Sequence, residues 1–250
     1  MSFKIKSKRF IRNPYKFNSY LGLLPDDVEK RRINFTPEIK PELLPFNRSK
    51  WNWMFPKKNG TDVSKYQLTN IGKYSIIYPK DAQRISKIIK SFFPGRNDVV
   101  ITDATANMGG VTLAFSDHFK KVNAVEILPF HCEVLRNNIK TYAPGKDVTV
   151  HCMDYLDVAH KLKQNAVFFD PPWGGPDYIN KKCMELYLDE ISIVDITKAL
   201  LKNTDLVAGR VPSNYHFKNL LALTDKSYIY RFINPSLNKL NFYMVILTKK

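Results

Sequence analysis

The run Ala166-Val167-Phe168-Phe169 ends abruptly in Asp170-Pro171-Pro172-Trp173-Gly174-Gly175-Pro176-Asp177-Tyr178, and this junction constrains the fold most strongly. Four apolar residues read as a buried strand. The two prolines fix φ and carry no N–H, so the ladder cannot continue and the backbone leaves the sheet rigid and extended. An acid, carbonyls without competing N–H groups and an indole are thereby set at a carboxyl strand end, where open α/β sheets bind ligands. The chemistry suits a planar base held by its exocyclic amine.

Strand and helix signals alternate on both sides of this junction. Lys73–Tyr78 reads as a strand, and Pro79 suits the first position of a helix reaching Phe93, with Ile85, Ile88, Ile89 and Phe92 at helical spacing. Further strands are expected at Val99–Asp103, Val122–Ile127, Val148–Cys152, Ala166–Asp170, Leu206–Val211, Ser227–Phe232 and 241–247. Helices are expected from the Gly109-Gly110 loop to about Lys120, over Pro129–Tyr142, and at Asp157–Leu162, Asp189–Leu201 and Asn214–Leu223. Asn234-Pro235-Ser236-Leu237-Asn238 is too short for a parallel crossover, so the final strands must pair antiparallel.

Residues 1–73 read as a basic, aromatic extension, with the first 20 expected to be disordered and a short helix at Asp26–Arg32; residues 74–250 read as the main domain. The chain carries 39 Lys+Arg against 23 Asp+Glu, a net +16, and residues 1–78 hold +10 of it. Such a balance attracts polyanions, nucleic acid first among them, although an AT-rich genome also inflates lysine. Trp51-Asn52-Trp53-Met54-Phe55-Pro56-Lys57-Lys58 reads either as a hydrophobic plug with solvated lysines or as an aromatic and basic wall facing a nucleotide. Cys132, Cys152 and Cys183 lack paired spacing and read as reduced core thiols of a cytosolic or nuclear protein, with no zinc site. The basic start MSFKIKSKRF is followed by no apolar run, so neither a signal peptide nor a membrane span is expected.

Asp103-Ala104-Thr105-Ala106-Asn107-Met108-Gly109-Gly110 follows a strand and opens a helix, a turn that lets backbone N–H groups approach a ligand. Glu126 ends the next strand, where an acid accepts ribose hydroxyls. Asp154-Tyr155 follows the third, an acid for an adenine amine and an aromatic ring to stack. Acid, glycine loop, acid and acid at successive strand ends form a pattern for S-adenosylmethionine, with Asp103, Thr105, Gly109, Glu126, Asp154, Tyr155 and Asp170 as the candidate cofactor residues. The G-x-G-x-x-G of dehydrogenases is absent. Asp154 as a helix cap and Glu126 as a solvated strand end are the competing structural readings.

Asp170-Pro171-Pro172-Trp173-Gly174-Gly175-Pro176-Asp177-Tyr178, with the Asp103–Thr112 loop upstream, resembles the trimethylguanosine synthases over roughly Tyr74 to Lys250. The resemblance implies a Rossmann-like class I methyltransferase fold, α/β, with a mostly parallel seven-stranded sheet and an antiparallel C-terminal strand. It implies methyl transfer from S-adenosylmethionine, giving S-adenosylhomocysteine, to guanine N2 of a 7-methylguanosine RNA cap, without a metal. Asp170 and the Pro171 carbonyl would engage the amine, and Trp173 would stack on the base. Val211-Pro212-Ser213-Asn214 resembles a family Leu-Pro-Arg-Asn segment near the cap phosphates. Asn214 carries over, Ser213 replaces the arginine, and Arg210, Lys57 and Lys58 are the candidate replacements.

Many family members carry Ser at the position of Asp170 and Gly at that of Asn107; Asn tolerates a positive φ there. The expected protein is a monomeric intracellular enzyme, cytoplasmic or nuclear and of viral or protist type, acting on capped RNA. Adenine-N6 methyltransferases share Asp-Pro-Pro-Trp, other nucleic-acid guanine-N2 methyltransferases lie between, and a non-catalytic cap-binding scaffold would keep the fold. These readings stay open on the residues alone.

Overall fold

A computed structural model describes residues 40–58, 60–174, 176–234 and 236–249, together with Ser7–Phe10 and Arg32–Phe35 as backbone only. Numbered in chain order, the strands are β1 Ser7–Phe10, β2 Arg32–Phe35, β3 Val100–Asp103, β4 Lys121–Glu126, β5 Asp147–Cys152, β6 Ala166–Phe169, β7 Tyr187–Leu188, β8 Ile191–Ser192, β9 Leu206–Val211, β10 Ser227–Asn234 and β11 Lys239–Thr248. The α-helices are α1 Arg48–Met54, α2 Pro79–Ser91, α3 Gly110–His118, α4 Pro129–Tyr142, α5 Tyr155–Val158, α6 Ile193–Leu200 and α7 Lys218–Leu221.

The main sheet has seven strands in the order β10-β11-β9-β6-β3-β4-β5. β3, β4 and β5 are parallel, with Asp103 beside Ala124 and Glu126 beside Cys152. β11 runs antiparallel to both β9 and β10. This is the Rossmann-like class I layout expected from the alternation, ending in the antiparallel pair that the short 234–238 connection requires.

Contacts divide the chain into two units, one of Ile39–Tyr155 with Leu162–Val167 and the other containing Leu156–Lys161 and Phe168–Lys250. In the first, the segment 40–73 contributes side chains to the core. Trp51, Met54, Phe55, Tyr66 and Leu68 pack in one cluster with Met108, Leu113, Val134 and Tyr142. Trp51 is 1% exposed and donates its Nε1–H to the Tyr66 carbonyl at 2.9 Å, so its one polar group is satisfied. Phe55 stacks flat on Tyr66 at 4.5 Å between centroids. Two residues along α1, Trp53 points the other way and is 53% exposed. The helix separates plug from wall: Trp51 is the plug, and Trp53 lies outside the core.

Pro79 does open α2, which buries Ala82, Ile85, Ser86 and Ile89. Several expected elements differ. Residues 73–78 form no strand: Gly72–Tyr74 is a 3₁₀ turn and the Ile76 N–H donates to Gly72, leaving no ladder. The expected helix at Asp189–Leu201 starts instead at Ile193, because a small antiparallel hairpin of β7 and β8 turns through Asp189 at φ +55°. At the N-terminus, Ser7–Phe10 pairs antiparallel with Arg32–Phe35, so those positions of the expected disordered stretch are strand and Arg32 is not helical. The rest of the 1–20 expectation, and positions 26–31 of the expected helix, lie outside the described residues.

Cys132 and Cys152 form a disulfide with Cα atoms 5.8 Å apart, and Cys183 is exposed. Both findings overturn the expectation of three reduced core thiols. The parallel register of β4 and β5 sets Cys152 opposite Glu126, and α4 returns Cys132 to the same strand end; linear spacing carries no trace of this.

Trp51→Ala should destabilise the protein by about 3–5 kcal/mol through the cavity it leaves, whereas Trp53→Ala should cost under about 0.5 kcal/mol. Urea unfolding of both variants reads the contrast, and equal losses would reject this division of the helix.

Candidate active site

The first unit carries the expected cofactor acids at consecutive strand ends. Asp103 closes β3, is 2% exposed, and accepts the Thr112 hydroxyl at 2.6 Å and the Thr105 N–H at 3.4 Å. The loop that follows turns through Asn107 at φ +49° and Gly109 at φ +98°. A Cβ at Gly109 would be strained by the backbone and would meet the Leu135 side chain at 2.9 Å, so glycine is required there. Asn107 takes the positive φ expected of it, and its buried Oδ1 has no hydrogen-bond partner in the structure.

Glu126 closes β4 and is 8% exposed. Its carboxylate accepts the Asn107 N–H at 2.8 Å and the Leu128 N–H at 2.9 Å, so it also holds the glycine loop in place. Burial pushes this carboxyl up to about 7 against the opposing pull of those backbone donors. His131 lies 3.9 Å away, and burial holds it down at about 4, so it brings no positive charge to Glu126. Asp154 immediately precedes α5, as expected of a strand-end acid. Tyr155 is 3% exposed with its hydroxyl near the Gln164 side chain at 3.1 Å, which makes it a packed ring of the core. An acid able to accept a vicinal diol and an unpartnered carbonyl at Asn107 suit a nucleoside such as that of S-adenosylmethionine.

The lysines expected at phosphates part company. Lys58 is ion-paired with Asp117, and its ammonium lies 3.9 Å over the Tyr142 ring. Asp117 also accepts the Tyr142 hydroxyl and the Gln83 amide, each at 2.6 Å. Burial opposes the charge of Asp117, yet Lys58, Tyr142 and Gln83 together hold its carboxyl below the ordinary range. Lys58 is thus held in an ion pair although its side chain stays 38% exposed, and Lys57 is exposed as well.

The second unit carries the expected base-holding residues. After β6, Asp170 is largely buried, its side chain 13% exposed, and receives Arg210 Nη1 at 2.8 Å from the neighbouring strand β9. Burial raises the Asp170 carboxyl, and the Arg210 charge and hydrogen bond pull it back down. The Arg210 guanidinium also lies 4.6 Å over the Trp173 ring and 4.6 Å over the Phe242 ring. Pro171 is buried, and Gly174 takes φ +83°, a backbone that ends the Pro-Pro-Trp segment in a sharp turn. Tyr178 sets its ring edge-on to Trp173 at 5.0 Å and supports the loop.

Arg210, expected at cap phosphates, is therefore committed to the acid. Asn214 is committed as well, its amide donating to the carbonyls of Tyr178 at 2.9 Å and Lys181 at 2.7 Å and stapling the loop after Trp173. Sequence reasoning missed Phe242. The alternation of β11 puts it on a buried face, but its guanidinium partner depends on the antiparallel register with β9. Among the described residues no helix is long and apolar enough to cross a membrane.

A family model described as RNA cap guanine-N2 methyltransferase matches residues 97–236. Uncharacterized protein L320 of Acanthamoeba polyphaga mimivirus is 32% identical over 191 residues, covering 66% of this chain and 73% of that protein. The trimethylguanosine synthase of Schizosaccharomyces pombe is 29% identical over 170 residues, covering 64% of this chain and 70% of its own. Among solved structures, a Porphyromonas gingivalis W83 protein described as a methyltransferase superposes with a TM-score of 0.57 at 13% identity, over 75% of this chain and 44% of that one. That likeness establishes the fold.

Below about pH 7 the folded protein keeps on Glu126 a proton that the unfolded chain gives up near 4.5. Glu126 therefore favours folding at acid pH, and that contribution fades as pH rises toward 7. A diol must donate to the carboxylate, so binding should expel this proton. S-adenosylhomocysteine affinity should climb by up to about tenfold per pH unit below that point and level off above it, while Glu126→Gln flattens the profile. Calorimetry in buffers of different ionisation enthalpy measures the proton release, and none would remove Glu126 from the site.

Proposed function

The chain belongs to the RNA cap guanine-N2 methyltransferase family, and on that premise we propose that it transfers methyl from S-adenosylmethionine to the exocyclic N2 of a 7-methylguanosine cap, acting as a monomer on capped RNA. The product is the 2,7-dimethyl cap, with a second transfer giving the trimethyl form. The observation that carries this reading is the largely buried Asp170 carboxylate and the Trp173 indole just past β6, both held by Arg210.

A purine amine is a poor nucleophile because its lone pair is delocalised into the ring. Fixed acceptors that hydrogen-bond its N–H groups favour a pyramidal nitrogen and draw off the positive charge that develops during attack. Asp170 and the Pro171 carbonyl are such acceptors. The cofactor supplies an electrophilic methyl on a sulfonium. Asp103, Glu126 and Asp154, with Thr105, Gly109 and Tyr155 around them, keep it in one pose, and most of the rate gain comes from that alignment.

Methylation at N7 makes guanine cationic. Trp173 already stacks a cation, the Arg210 guanidinium, which supports the reading that its π face suits such a base. Stacking on an indole adds about 0.5–2 kcal/mol for a cation over a neutral ring, and the lower end applies where one ring serves two cations. Lys57, exposed next to the aromatic segment, is the remaining lysine proposed for the triphosphate.

Labelled S-adenosylmethionine offered with 7-methyl-GTP, GTP or an adenine-containing oligonucleotide should label the first alone; transfer to the oligonucleotide alone would replace this reading by adenine-N6 methylation, and transfer to none by a binding scaffold. Trp173→Ala should abolish cap methylation while S-adenosylhomocysteine affinity stays within about twofold. Equal calorimetric affinity of variant and wild type for 7-methyl-GTP would discard the stacking role.

A further inference from the structure

Arg210 sits where its own hydrogen-bonding capacity is poorly served. Its Nε is buried without a hydrogen-bond partner in the structure, although such a donor is costly to leave unmade. What holds the side chain is one ion pair, to Asp170 Oδ2 at 2.8 Å, and two rings, Trp173 and Phe242, each 4.6 Å from the guanidinium carbon. The antiparallel register places Arg210 opposite Met244, so Phe242 is its diagonal neighbour on the same face. Side-chain exposures of 18% for Arg210 and 13% for Asp170 put the pair largely out of water. A planar guanidinium can make these contacts together, and an ammonium cannot.

We propose that Arg210 is a positioning residue for amine methylation: its ion pair sets how Asp170 presents its carboxylate, and its stacking fixes the plane of the Trp173 ring. The inference rests on the function proposed above. A carboxylate turns easily about its last torsion, and a charge-assisted hydrogen bond to one oxygen fixes it. Arg210 also keeps the acid usable. An acid out of water tends to hold its proton, and a protonated carboxyl donates where the amine needs an acceptor. On β9, Arg210 is the charged group facing Asp170; Trp173 and Phe242, from the following loop and from β11, bring no titrating group. In this chain the acid at position 170 is accompanied by a cation at 210.

The test is the pH dependence of kcat/KM for the full chain with Arg210→Met and Arg210→Lys, each also combined with Asp170→Asn. Activity needs ionised Asp170, so its acid limb rises through that group's pKa. Losing the cation should move the limb upward by about one pH unit or more. Arg210→Met should cost about 100-fold in kcat/KM, Arg210→Lys should recover part of it, and in the Asp170→Asn background the same change should cost under about twofold. An unmoved limb, or an equal loss in both backgrounds, overturns the proposal. Thermal melting and S-adenosylhomocysteine affinity separate a folding defect. Should Arg210→Met fail to fold, Arg210→Lys carries the test, and wild-type rates with an unshifted limb count against it. Titration of the Asp170 carboxyl by ¹³C NMR needs no substrate. If it moves up in the variant while no guanosine is methylated, the functional reading fails and the pair stands; cap methylation with an unmoved titration does the reverse.

Discussion

Parallel strands cannot be joined by hairpins. Each connection between β3, β4 and β5 must therefore leave the carboxyl end of one strand, run back as a helix, and re-enter at the amino end of the next. Asp103, Glu126 and Asp154 occupy successive exits for this reason. The same geometry brings their neighbours together: Glu126 receives the Asn107 N–H of the previous exit, and Cys152 of the next strand comes beside Cys132. The glycine loop is accordingly shaped by an acid that is also proposed to bind the cofactor, so a change there should act on backbone and ligand at once.

Cation–acid pairs recur in both units. Lys58 with Asp117, and Arg210 with Asp170, are cation–acid pairs whose cations also lie over aromatic rings. For Arg210 and Asp170, largely out of water, removing one partner leaves an uncompensated charge, a far greater penalty than the pair's net worth. Ring, cation and acid are therefore coupled choices, and substitution at one position constrains the other two.

Local signals made the scaffold legible. Helices opening at Pro79 and Pro129, apolar runs of strand length and a connection too short to cross over give the alternation and its antiparallel end without any knowledge of contacts. The strand-end acids were legible for the same reason. The segment 73–78 has apolar residues like a strand, but its N–H groups are spent in a local turn. The hairpin before α6 depends on one residue, Asp189, accepting a left-handed backbone. Asn214 is read as a phosphate ligand from the resemblance of its segment, and Arg210 and Lys58 from their charge, whereas their partners, the Tyr178 carbonyl, Asp170 and Asp117, lie 36, 40 and 59 positions away. Trp51 and Trp53 differ only in the side of α1 they occupy, which a two-residue spacing leaves open until the helix is placed.

Arg210 is neutralised by Asp170 largely out of water, whereas Lys57 and Lys58 have exposed side chains. Mobile ions screen exposed charges far more than buried ones. Ionic strength should then act on how readily exposed side chains gather a polyanion while leaving the Arg210–Asp170 pair almost untouched. With Asp170 and Trp173 choosing the base as proposed, capture and choice are electrostatically separate, one set by the medium and the other by the interior.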